Sequence, residues 1–314
     1  MTCYRPLAAW RRLDRLTEKG KTRIEFKRPG GPAEAIRVPC GRCIGCRVDK
    51  SREWALRCIH EASLYEANCF VTLTYDDLHL PEGGSLVKRI GKKRGHHQSF
   101  MKKLRELYPV DLVGRPKRIR FFCVGEYGDR EMRPHLHVLL FNHDFADKYF
   151  WKKSESGEDM FRSDELERVW TYGLSTVQAL TWESAAYVAR YAIKKTNGEK
   201  AAERYLREVD VETGECTYLE PEYVCMSRRP GIGREWYDRF KSDCRKGFLT
   251  AELGQKFAVP AYYDRILEEQ DAAAFEEMKR RRKEAASERS VTRKRLAGME
   301  HYKDCQVKRL KRSV

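Results

Sequence analysis

A chain of 314 residues with 63 Lys and Arg against 47 Asp and Glu carries a formal charge of +16, and is long enough for one substantial domain or two small ones. That excess favours a polyanionic partner, nucleic acid or a membrane surface, and says nothing of fold. No apolar run approaches the roughly 20 residues that span a bilayer, no secretory signal opens the chain, and eleven cysteines, an odd number, do not suit a disulfide framework, so a soluble intracellular protein is expected.

Residues 1–38 are basic and broken by turn signals at Pro29-Gly30-Gly31-Pro32. Cys40, Cys43 and Cys46 follow at intervals of three. With Cys3 as a fourth ligand, and Cys58 as its rival, they make a candidate structural zinc site tying the N-terminal arm to the domain. Two other readings stand beside it: reduced thiols in a tight glycine-rich loop, and an iron–sulfur cluster, whose spacing is similar. Residues 47–67 have the period of an amphipathic helix, with Trp54, Ile59, Ala62 and Leu64 near one side. Cys69 to Tyr75 alternates as a strand that ends at Asp76-Asp77. Thr72 and Thr74 share one of its faces, either to bind DNA phosphates or simply by strand propensity. Residues 81–97 read as a glycine- and lysine-rich loop with a solvated His96-His97 pair, and Phe100, Leu104 and Leu107 mark a helix over 98–108.

Ile119 to Val124 is a second strand, β-branched and aromatic. A turn beginning at Gly125-Glu126 leads into Arg133-Pro134 and an apolar strand through Phe141. Side chains alternate along a strand, so His135 and His137 share one face and Leu136, Val138 and Leu140 the other. The hairpin returns Glu126 beside His135. Two neutral imidazoles and a carboxylate leave positions open on a divalent ion, which suits Mg²⁺ or Mn²⁺ acting on a phosphate. Asp129 and Glu131 are reserve ligands. The plainer alternative is two idle histidines and a solvated turn carboxylate.

Residues 142–160 are polar and irregular; Ser163 caps a short helix reaching Trp170, and Gly173 to Ala179 is a strand. Thr181 is the N-cap of a helix that runs to Lys195 and is stopped by Asn197-Gly198. Tyr187, Tyr191 and Lys194, spaced by four and three, share one face of it. Tyrosines so spaced usually belong to a core, but a core stripe rarely carries a lysine on the same line. Val188 and Ala192 suit packing on a sheet. Val209 to Tyr218 is a hairpin turning at Thr213-Gly214. Arg228, Arg229 and Arg234 then punctuate a glycine-rich loop before Trp236, Tyr237 and Phe240. Either the loop contacts a phosphate backbone and the aromatics stack on bases, or it is a structural turn with its aromatics inward. From about Tyr262 the chain reads as helical, and residues 279–314 hold 14 Lys/Arg against 4 Asp/Glu. This tail is either a solvated helix or an extension that binds DNA or a partner without sequence preference.

His135-Leu136-His137 followed by Tyr-x-x-x-Tyr-x-x-Lys resembles the two-tyrosine HUH endonucleases. Further motifs extend the match: Met1-Thr2-Cys3-Tyr4, Pro39 to Arg47, Phe70 to Tyr75, and Ser227 to Gly233. With these, most of the chain resembles the replication-initiation proteins of gokushovirus-like microviruses. The resemblance implies an α+β, HUH-type nuclease domain, and the architecture expected is a mostly antiparallel sheet of the 70–75, 119–124 and 135–141 strands. Helices 98–108 and 182–195 would cover one face, with the tyrosines over the histidines. The expected divisions are a Cys-rich region and lead-in helix (1–67), the nuclease core (68–200), its C-terminal part with the basic loop (201–263) and the basic helical tail (264–314). The implied chemistry is metal-assisted attack by Tyr187 or Tyr191 on single-stranded origin DNA, with His135, His137 and Glu126 holding the ion. Lys194, or Lys195 in its place, would steady the charge, which favours the nearer Tyr191 as first nucleophile. The implied partners are a circular single-stranded DNA, its replicative form, and a host helicase and polymerase, in the cytoplasm of a bacterium and away from membranes. Rival readings are a non-catalytic zinc-stabilised regulator or packaging protein, an iron–sulfur protein, and a plasmid or transposon nuclease of HUH type.

Overall fold

Alternating runs in the middle of the chain assemble into a seven-stranded antiparallel sheet that carries most of the long-range structure. The computed structural model describes residues 3–16, 22–88, 95–111, 113–128, 132–191, 199–209, 212–250, 256–287 and 292–309. It divides into a smaller unit, Met1–Lys50 with Glu277–Arg312, and a larger one, Ser51–Glu276.

In the smaller unit, β1 (Leu7–Leu16), β2 (Thr22–Glu25) and β3 (Ala33–Val38) form an antiparallel sheet in the order β2-β1-β3. These strands were not legible in the sequence. Little of their alternation is apolar, since Ala9 and Arg12 are the buried members of β1. Helix α1 (Ile44–Ala62) begins inside the cysteine triplet and runs on into the larger unit. It stops five residues short of the expected 67, where the Asn68 amide donates to the Ala62 and Tyr65 carbonyls.

The larger unit continues with β4 (Asn68–Thr74), α2 (His96–Leu107), β5 (Arg120–Tyr127), β6 (Pro134–Phe141), β7 (Tyr149–Lys153), β8 (Asp159–Arg162), α3 (Asp164–Val169), β9 (Ser175–Ala179) and α4 (Trp182–Tyr191). Then come α5 (Glu199–Tyr205), β10 (Leu206–Val209), β11 (Cys216–Tyr218), β12 (Tyr223–Met226), α6 (Arg234–Cys244), β13 (Phe248–Thr250), β14 (Lys256–Ala258) and α7 (Ala261–Gln270). The basic tail forms α8 (Ala272–Ser287) and α9 (Arg293–Arg309), helical as expected. The main sheet has the order β12-β5-β6-β4-β9-β8-β7. No described helix is long and apolar enough to cross a membrane.

Both faces of the central strands are covered, which is why β6 reads as a near-continuous apolar run. Leu136, Val138 and Leu140 pack with Val71 and Leu73 against Phe100, Met101 and Leu104 of α2 and Leu166 and Val169 of α3. The other face buries Phe70, Phe122, Val124, Leu139 and Phe141 against Ala185, Val188 and Ala189 of α4 and Ala55 and Cys58 of α1. Helices 98–108 and 182–195 therefore do not cover one face, as expected, but opposite faces. The correction follows from β6 itself: two apolar stripes need two layers of cover. The supposedly irregular 142–160 stretch holds the β7–β8 hairpin, a sheet edge whose Tyr149 and Phe150 stay exposed. His97 is not solvated either. It is 7% exposed, and its Nδ1 lies 3.1 Å from the Tyr223 hydroxyl.

Candidate functional site

Register builds the site. On β6, flanked by β4 and β5, His135 pairs with Thr74 and Glu126, and His137 pairs with Thr72 and Val124. Paired residues point to the same face, so Thr72, Thr74, Glu126, His135 and His137 share the α4 side of the sheet. Strand β5 runs two residues beyond Gly125, placing Glu126 on the strand rather than in a turn, only 2% exposed. Its Oε1 lies 2.8 Å from Nε2 of both His135 and His137.

The proton arrangement argues for a cation between these groups. His135 Nδ1 lies 3.1 Å from the Arg133 carbonyl, which can only accept, so this nitrogen is the donor. In the neutral ring Nε2 then turns a lone pair toward a carboxylate oxygen. Glu126 Oε2 is buried with no hydrogen-bond partner among the described residues. A divalent ion satisfies all of these atoms at once. The 2.8 Å separations are close to the roughly 3 Å between adjacent ligands of an octahedral ion with bonds of about 2.1 Å. Burial would raise the Glu126 carboxyl, but His137 and His135 hold it below its ordinary range.

Thr72 is buried, and its Oγ1 sits 3.1 Å from His137 Nδ1. Its place is behind the ligand, where it sets the ring's orientation, a role that strand spacing alone does not reveal. Thr74 is half-buried beside His135. Asp129 and Glu131, the reserve ligands, lie outside the described residues.

Helix α4 starts with a reciprocal cap: Ser184 N–H donates to Thr181 Oγ1 at 3.2 Å, and Thr181 N–H donates to Ser184 Oγ at 2.8 Å. Alanines on its sheet side let it approach closely, and Tyr187 arrives edge-on to His137, ring centroids 5.3 Å apart. Arg190, one turn on, places its guanidinium 5.6 Å over the Tyr187 ring. Only the i, i+3 spacing hints at this neighbour in the sequence. Tyr191 is the last residue of α4 and its side chain is not described; Lys194 and Lys195 lie outside the described residues.

In the smaller unit, Cys3, Cys40, Cys43 and Cys46 bring their sulfurs within 4.8 Å of one another. Backbone N–H groups of Tyr4, Cys40 and Cys43 donate to Sγ of Cys43, Cys3 and Cys40 at 3.3 to 3.4 Å. Burial would raise the Cys43 thiol, but the backbone N–H groups of Cys46 and Tyr4 hold it at about 7. The Cys43–Cys3 separation of 4.0 Å is close to the roughly 3.8 Å edge of a tetrahedral thiolate site. Cys58, the rival ligand, is instead buried against the sheet.

The 228–234 loop is held from beneath. The buried Arg120–Glu61 ion pair donates onward from Arg120 to the Pro230 carbonyl (2.9 Å), while Glu61 Oε2 accepts the Gly233 N–H (2.7 Å). Arg57 donates twice to the Ile232 carbonyl. Gly233 has φ of +78°, and a Cβ there would lie 2.2 Å from the Tyr263 hydroxyl, so no other residue fits. Arg228 and Arg229 are exposed, whereas Arg234 pairs with Asp238 at 2.9 Å. Tyr237 is wholly buried, and Trp236 stacks on His60 at 3.5 Å.

A family model described as a replication-associated protein of the ORF2 kind matches residues 68–196, the stretch that carries the histidines and α4. The chain is 31% identical to the replication-associated protein VP4 of Bdellovibrio phage phiMH2K over 268 residues, covering 84% of this chain and 76% of that one. It is also 31% identical to the replication-associated protein ORF2 of Spiroplasma virus 4 over 278 residues, 85% and 79% of the two chains. A shorter match, 31% over 163 residues, covers 50% of this chain and 38% of the replication-associated protein ORF4 of Chlamydia phage 1. No solved structure matches the chain. Identity of this extent to two phage proteins, over a strand and helix that bring two histidines, a glutamate and a tyrosine together, means that the chain belongs to the replication-associated protein family of microvirus-like phages.

Proposed function

We propose that this protein is a rolling-circle replication initiator of HUH type, a nuclease and strand transferase that nicks single-stranded origin DNA and later rejoins the strand into a circle. The observation that carries the reading is Glu126 Oε1 lying 2.8 Å from both histidine Nε2 atoms, beside the ring of Tyr187. A Mg²⁺ or Mn²⁺ ion bound there would polarise the scissile phosphate. Glu126, His135 and His137 hold the ion, and Thr72 keeps the His137 ring aligned.

The hydroxyl of Tyr187 or Tyr191 attacks phosphorus. The new tyrosyl O–P bond replaces the bond to the 3′ oxygen; the phenol loses its proton and the 3′ oxygen gains one. A 5′-phosphotyrosine and a free 3′-hydroxyl remain. Arg190, with Lys194 or Lys195, lowers the cost of negative charge on the phenol and phosphate. The 3′-hydroxyl is a primer for a polymerase behind a helicase, both from the bacterial host, in whose cytoplasm the reaction runs. The second tyrosine cuts the regenerated origin, and attack by a 3′-hydroxyl on the phosphotyrosine closes the circle.

Incubation with single-stranded origin DNA and Mn²⁺ should yield a covalent adduct that survives denaturing electrophoresis. EDTA should abolish it, and His137→Ala should lower it by more than about 100-fold, beyond the loss typical for a residue that merely supports a ligand. A parent protein that forms no adduct would leave a nucleic-acid-binding protein without this chemistry.

The four thiols support a structural Zn²⁺ in the smaller unit, whose binding would supply folding energy there. Metal analysis should find zinc in the parent protein and little in Cys40→Ser. Equal zinc in the two would refute the site.

A further inference from the structure

Arg105 at the end of α2, Lys117 and Arg118 before β5, and Arg228 and Arg229 after β12 surround a cleft of about 670 Å³ with Phe121 in its wall. All belong to the larger unit. The Arg105 fork is fixed: Nε and Nη2 donate to the Ile119 carbonyl at 3.2 and 2.8 Å, and the guanidinium stands 5.7 Å from the Phe121 ring. Lys117 Nζ donates to His143 Nδ1 at 3.2 Å and lies 5.3 Å from the Tyr108 ring. Arg118 reaches the Arg229 carbonyl and Glu235, the latter at 3.3 Å. Among the described residues, no carboxylate forms an ion pair with Arg105, Lys117, Arg228 or Arg229. The nearby Asp111 is taken by Arg115.

Cations held by carbonyls and rings, partly withdrawn from water and without counter-charges, form a site that lacks its anion. Burial pushes both Arg105 and Lys117 below their ordinary ranges, as expected of charges that have not been compensated. Five cationic side chains along one cleft exceed the needs of a single small anion and suit successive phosphates of a backbone. The cleft also lies apart from the metal triad. Strand β5 passes from Arg120, at the cleft, to Glu126, about 20 Å at roughly 3.3 Å per residue. Phe121 faces the α2 side of the sheet, opposite the histidines.

We propose that this cleft is a second DNA site, gripping the sugar-phosphate backbone of the strand that flanks the cut. The inference rests on the nicking function for the identity of its ligand, but its test does not depend on the chemistry. The second site keeps hold of DNA when the scissile segment leaves the metal, and it makes a long single strand bind more tightly than a short one.

The test is the salt dependence of binding to a long single-stranded oligonucleotide containing the origin. Each phosphate contact contributes about 0.7 to the slope of log K against log[salt]. Arg228→Gln with Arg229→Gln should therefore flatten the slope by about 1.4. Lys152→Gln with Arg168→Gln, which removes two exposed charges from elsewhere in the same unit, should leave it near the parent value. On a short oligonucleotide covering only the cut, the cleft variant should bind and form adduct like the parent. An unchanged slope in the cleft variant, or equal flattening in both variants, would overturn the site. Should the parent form no adduct at all, the nicking reading fails, while the slopes still decide the cleft.

Discussion

Replacing Tyr187 and Tyr191 together by phenylalanine should abolish the covalent adduct while leaving DNA affinity and folding near those of the parent. Tyr187 is 9% exposed and packs edge-on to His137 and near Phe70, contacts that a phenylalanine ring keeps. The substitution removes an oxygen, not a packing element, so structural loss is small beside chemical loss. With neither hydroxyl present no tyrosyl–phosphate bond can form, and the expected fall is at least on the order of 10⁴-fold, as for deletion of other covalent nucleophiles. Each single variant keeps one nucleophile and should retain adduct, and comparing the two tells which tyrosine cuts first. An adduct that persists in the double variant would remove both residues from the mechanism.

The second large effect concerns stability. Glu61→Ala is expected to destabilise the larger unit by about 3–5 kcal/mol, because it strands Arg120 inside the protein. Arg120 and Glu61 are only 2% and 1% exposed, so water cannot replace the lost partner. The same change leaves the Gly233 N–H without its acceptor, at the turn where the 228–234 loop enters α6. Urea denaturation followed by tryptophan fluorescence measures the loss, with the slope of the transition expected to hold constant. A loss below about 1 kcal/mol would show the pair to be dispensable. Because this pair lies at the far end of β5 from Glu126, the variant should still form adduct where it remains folded.

Much of the site could be read from local pattern. The histidines had to share a face because strand side chains alternate, and Thr181 is the cap its position suggested. Glu126 was found beside His135, but as a strand residue, since β5 continues past the glycine that looked like the start of the turn. Thr72 reads in the sequence as a candidate phosphate contact because a strand threonine does not reveal its neighbour. The pairing of β4 with β6 puts its hydroxyl behind His137. The β7–β8 hairpin and the N-terminal sheet went unread because their exposed or mixed-charge strands lack an apolar rhythm. The basic cleft is written in no motif, for its cations come from three separate stretches of the chain.

The sequence by itself determined what short-range geometry controls: two imidazoles on one strand face, tyrosines one helical turn apart, cysteines at metal-binding intervals and a cationic tail. These follow from backbone periods of two and 3.6 residues, which need no distant partner. Only the tertiary structure decided which carboxylate meets the histidines, that Cys3 rather than Cys58 joins the triplet, that α2 and α4 lie on opposite faces, and where unpaired cations collect. Those outcomes depend on register and layering, which are set by burying apolar surface between segments far apart in the chain.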